Sequence, residues 1–351
     1  MPLGAIDLGR VLSPVSPEQP GGDDLRYDQR YMEVMRASEG TPEDQFAGTE
    51  AIPPDWRVVR DGALELLVRS KDLRLGVLLT ASELRLSGFP GLVDSLAVLR
   101  GLIDQYWDTM FPRLDPEDGN DPTERVNILS ALVAPPGSMG DPLRILEGIT
   151  ELPLAESRMV GRVGYREILV AMGELPPLAG EGAFNPDAAT IDAAFRDVEP
   201  EALTARAGEV DTCLEHVKAI ENSLTDRVGR GRSIDFSPVR QLLGEIAKQI
   251  RKRLPTPVAD PRTGELEAGG EGAGRGARLA GEVASRDDVL LAFGKIVSYY
   301  ERVEPSSPVP LFVRCAEQMV GKSFADIVKV LTPDAVAMLV GISTPPEQPT
   351  G

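Results

Sequence analysis

The chain has 351 residues, 42% of them hydrophobic, which is enough for two or three domains with sizeable cores. Its 37 Lys and Arg residues against 55 Asp and Glu residues give a net charge of −18, and this balance opposes binding to nucleic acid or anionic lipid, which both need clustered cations. Cys213 and Cys315 lie far apart, and we find neither a signal peptide nor an apolar run long enough to span a membrane. We therefore expect a cytoplasmic protein without disulfides and without direct membrane insertion.

Helical periodicity dominates the first third of the chain. The proline-rich residues 1–21 predict an extended arm, after which Asp23 or Asp24 is expected to cap a first helix. Apolar positions then recur at steps of three and four residues, which predicts further helices. These begin near Trp56, Leu73, Pro90 and Arg125. Because the connections are short, we predict an antiparallel helical domain over residues 1–135.

The middle of the chain, residues 136–254, is predicted to be a second helical region. Amphipathic patterns over residues 187–228 and 235–253 favour a helical hairpin or bundle. The stretch "PLRILEGITELPLAE" is compatible with a short strand, although its prolines weaken that interpretation.

A change of composition separates this region from the tail. Residues 255–284 hold seven glycines and three prolines and no aromatic residue, so they cannot bury enough surface to offset the entropy of ordering. We interpret them as a flexible linker. Residues 285–351 return to short amphipathic helices. Between two of these, "EPSSPVP" ends one helix and begins the next, since Ser307 followed by Pro308 is a common helix start.

We find no sequence signal for catalysis, for a cofactor or for a metal. His216 is the single histidine, and its helical spacing among apolar residues favours a structural role. The glycine-rich residues 269–276 lack the Gly-Lys-Ser/Thr ending of a phosphate loop and have no strand before them. Residues 228–236 hold two arginines beside glycines, which is typical of an interhelical turn but leaves a phosphate contact open. Capping explains Ser306 and Ser307 without chemistry.

Five short motifs resemble the ImpA N-terminal domain. They are an early Asp-Leu-Arg-Tyr segment, an Asp-Trp helix start, Ser-Lys-Asp-Leu-Arg, a helix opening Gly-Phe-Pro-Gly-Leu, and Tyr-Trp-Asp before a proline. In this chain they lie at residues 24–27, 55–56, 70–74, 88–92 and 106–108. The stretch from residue 285 to the "TPDAV" segment resembles the C-terminal region of the shorter TssA proteins of type VI secretion systems. The two regions together cover about half of the chain, and residues 136–254 are the least similar part.

The resemblance implies an all-α, multi-domain protein of helical bundles joined by the Gly/Pro-rich linker. It implies a cytoplasmic, non-enzymatic assembly factor of the short, baseplate-associated type, which contacts baseplate, sheath and tube. It also implies ring-like homo-oligomers formed through residues 285–351, whose small core favours burial of apolar residues between copies. The residues that we expect at this interface are Phe293, Tyr299, Tyr300, Leu311, Phe312 and Phe324. A monomeric adaptor, or an enzyme with an unrecognised site, stays open as an alternative.

Overall fold

The chain forms two compact units, Met1–Ala259 and Asp260–Gly351, and helices account for most of the residues described. The computed structural model describes residues 6–41, 50–138, 140–180, 182–254, 286–303 and 308–319. The predicted linker 255–284 lies outside these ranges.

The helices of the first unit follow one another closely along the chain. In the described residues they are α1 (Leu8–Val11), α2 (Gln29–Glu39), α3 (Trp56–Arg69), α4 (Leu73–Leu86), α5 (Gly88–Tyr106), α6 (Thr123–Ser130), α7 (Ile145–Glu151), α8 (Tyr165–Ala171), α9 (Ala188–Arg196), α10 (Pro200–Val228) and α11 (Ser237–Arg253). A short 3-10 helix, Pro116–Asp118, precedes α6. The second unit contributes α12 (Arg286–Val303) and α13 (Val309–Met319).

A β-hairpin departs from the predicted all-α fold. Strands β1 (Pro153–Ser157) and β2 (Gly161–Gly164) pair antiparallel, with Ala155 opposite Val163. A two-stranded ribbon is marginal alone, and this one packs against α8 and α9. The predominance of helix is therefore confirmed, whereas "all-α" is wrong for these residues. The proline that weakened the strand prediction, Pro153, stands at the first position of β1, where proline is tolerated.

Helix starts agree with the predicted spacing except at α2. Its cap is Asp28, which accepts hydrogen bonds from the backbone N–H groups of Arg30 and Tyr31, and neither Asp23 nor Asp24 caps it. Asp24 instead binds Arg26, and the observed cap lies five residues after Asp23 and four after Asp24. The long pattern over residues 187–228 is likewise two helices rather than one, because Pro200 starts α10 and cannot continue α9.

The buried core of the first unit is continuous. It runs from Val11 to Ile250 and includes side chains on both sides of position 135. The core shows no break at this position, and the domain boundary there stays a prediction. Glycines allow the closest approaches between helices. A Cβ on Gly62 would lie 2.2 Å from a Val34 methyl group, and one on Gly76 would lie 2.8 Å from a Leu99 methyl group.

The N-terminal arm is tied to this core rather than extended throughout. It contains the single helical turn α1, with Val11 buried at its end. Two side chains of the core hold the backbone that follows: the Tyr106 hydroxyl donates to the Leu12 carbonyl oxygen at 2.5 Å, and Lys71 Nζ donates to the Val11 carbonyl oxygen at 2.8 Å.

Candidate functional site

The tail helices carry an exposed apolar surface. Helices α12 and α13 pack against each other, and Val297 is buried. On α13, however, Leu311 is 71% exposed and Phe312 is 72% exposed, and on α12 Tyr299 is 48% exposed. Large apolar side chains presented together in this way mark candidate interaction surfaces.

Most of the residues predicted at the self-association interface lie on these two helices. The rings of Tyr299 and Tyr300 meet edge to face, with centroids 5.3 Å apart, while Phe293 and Tyr300 are half-buried. Phe324 and the Ser306–Ser307 corner lie outside the described residues. The structure therefore brings five of the six predicted residues onto one helix pair, and their role as an interface stays a prediction.

Residues 70–72 form the polar centre of the first unit. The backbone N–H of Lys71 donates to the Gly21 carbonyl oxygen at 2.8 Å, and its carbonyl oxygen accepts from the Phe111 N–H at 2.7 Å. Its Nζ donates to the carbonyl oxygens of Val11 and Leu67 at 2.8 and 2.7 Å. Burial lowers the pKa of Lys71 to about 8. Both described hydrogen bonds of the Lys71 side chain are therefore made to backbone carbonyl groups inside the fold.

Asp72, the next residue, caps α4 by accepting from the Arg74 N–H at 2.7 Å. The Tyr31 hydroxyl donates to its Oδ2 at 3.4 Å, which links α2 to α4. Burial raises the pKa of Asp72 to about 6. A buried Lys beside a buried Asp is a combination that active sites use, but here both groups hold helix ends and loop carbonyls together.

Arg125 is a second buried cation that the sequence analysis missed. It is buried on α6, where its guanidinium donates to the carbonyl oxygens of Pro112 and Met110 at 2.8 and 2.9 Å, and to that of Trp107. The same group stacks over the Trp107 ring at 4.8 Å. The sequence analysis placed a helix start near Arg125 and assigned this side chain no role.

His216 lies half-buried on α10, and its Nδ1 atom is buried with no hydrogen-bond partner in the described structure. Burial, together with the positive charge of Arg100, lowers the pKa of this imidazole. Within the described ranges, no group of three or more His, Cys, Asp or Glu side chains is placed to hold a metal ion. In the same residues, no helix combines the length and apolar character needed to cross a membrane.

Two clefts in the described part of the first unit have mixed linings. One of about 440 Å³ lies between α2, α4 and α6, where Arg74 and Glu39 stand among apolar side chains. Another of about 440 Å³ lies between the arm and α3, beside Arg60 and Asp61. His216 lines neither of these clefts.

Comparison with known proteins identifies the family. The profile of the family described as "ImpA, N-terminal, type VI secretion system" matches residues 12–134. The chain is 38% identical over 353 residues to the type VI secretion system component TssA1 of Pseudomonas aeruginosa, which covers 97% of this chain and 99% of that protein. This chain belongs to the TssA family.

A solved structure of the same family shares the fold. It is the N-terminal domain, including the conserved ImpA_N region, of the TssA component from Burkholderia cenocepacia. The match has a TM-score of 0.58 and 25% identity, and it covers 72% of this chain and 96% of that domain. The resemblance drawn from the five N-terminal motifs is therefore confirmed.

The structure divides the TssA-family motifs into two kinds. Several of their residues contribute to the packing of the fold. Residues 70–72, Tyr106 and Trp107 are buried. Trp56 is half-buried, and the Arg85 guanidinium lies 4.3 Å from the centre of its ring. Tyr27 differs, because it is 88% exposed. Sequence reasoning grouped it with the others and gave no signal for this difference.

Proposed function

We propose that this chain is a structural assembly component of the type VI secretion apparatus, not an enzyme, and that its tail joins copies into a ring-like homo-oligomer in the cytoplasm. In the proposal, the assembled chains contact baseplate, sheath and tube components and help to initiate or coordinate tail assembly. Membership of the TssA family supports the general role.

The exposed pair Leu311–Phe312 on α13 carries the self-association step. Burying a leucine or phenylalanine side chain contributes about 1.5 to 3 kcal/mol, and a ring repeats that contribution at every contact between copies. Many first units held on one ring would bind a multi-subunit partner with avidity even when each contact is modest. The short tail helices and the proposed ring therefore fit one mechanism.

The test replaces both Leu311 and Phe312 with aspartate in the full chain. Charge at a contact that excludes water is strongly unfavourable, so we expect a much smaller solution mass by light scattering. A matched control places two aspartates on the first unit, at Met159 and Met172, which are also exposed. We expect the control to keep the large species.

Two outcomes would separate the alternatives. A wild-type chain that sediments as one copy at micromolar concentration would favour the monomeric adaptor. A large species that survives in the Leu311 and Phe312 variant would place the self-association surface elsewhere in the chain.

A further inference from the structure

We draw no further inference here: the strongest candidate, the cleft of about 440 Å³ between α2, α4 and α6, has in its wall an arginine, Arg74, that is already paired with Glu124, and nothing in the described residues shows what covers its apolar lining.

Discussion

The first unit and the tail helices use apolar residues in opposite ways. In α4, the structure buries eleven of the fourteen residues, polar Thr80, Ser82 and Glu83 among them. Helix α13 is more strongly amphipathic than α4, yet it leaves Leu311 and Phe312 mostly exposed. Helix α4 thus buries its apolar side chains within the first unit, whereas the described α13 leaves two large apolar side chains exposed. This difference supports two proposals: that buried polar groups of the first unit serve its stability, and that copies of the chain associate through the tail.

The largest expected effect comes from removing a polar group of the first unit. Arg125→Met keeps most of the volume but leaves the carbonyl oxygens of Trp107, Met110 and Pro112 without their donor. Each buried carbonyl that loses its partner costs about 1 to 3 kcal/mol, so we expect a loss of roughly 3 to 5 kcal/mol in the free energy of unfolding. Urea unfolding followed by circular dichroism measures this loss.

The matched control for that variant is Arg162→Met. Arg162 is exposed on β2, 3.7 Å from Glu156, and surface ion pairs contribute little. We expect this control to change the unfolding free energy by less than about 0.5 kcal/mol. If Arg125→Met left the fold intact but changed the solution mass, the contrast between the two units would be wrong. A buried residue of the first unit would then control association.

Sequence patterns predicted the helices well, but they predicted neither the exposure of Tyr27 nor the cap of α2. The three- and four-residue spacing located α3, α4 and α5, since each must bury one face against its neighbours. The exposure of Tyr27 could not be read from spacing. Asp24 and Asp28 are equally good caps by residue type, but in the folded chain Asp28 caps α2 while Asp24 pairs with Arg26.

The exposure of Leu311 and Phe312 on the tail was more predictable than the contacts of the buried cations. Exposed apolar side chains follow from a helix too short to bury them, which the sequence already indicates. Lys71 and Arg125, by contrast, bind carbonyl oxygens of segments up to 60 residues away along the chain, such as that of Val11. Contacts of this range depend on the tertiary arrangement, and no local pattern encodes them.

A second, smaller effect tests the buried Lys71 by its dependence on pH. Burial lowers the pKa of this lysine to about 8 from the usual 10.5, so the folded chain loses the proton at a lower pH than the unfolded chain. Between about pH 8 and 10.5 the unfolded state then binds more protons, and raising the pH should stabilise the fold by up to about 3 kcal/mol. A neutral amine still has two N–H groups for Val11 and Leu67, so both hydrogen bonds survive.

The measurement compares urea midpoints at pH 7, 9 and 10 for the wild-type chain and for Lys71→Met. The variant starts from a lower stability because two carbonyl oxygens lose a donor, so only the slopes are compared. We expect the rise with pH in the wild-type chain to be absent from the variant. Equal slopes would show that Lys71 keeps its proton in the folded chain.

The smallest expected effect is at His216. Its Nδ1 atom is buried without a partner, and the imidazole is already biased toward the neutral form, so His216→Gln removes no described hydrogen bond. We expect a change in unfolding free energy below about 1 kcal/mol and an unchanged solution mass, because the side chain is only half-buried on α10. Secretion by cells carrying the variant should stay close to wild type. A variant that folds and assembles normally yet loses secretion would give the first unit a chemical role, and the division of labour between the two units would be wrong.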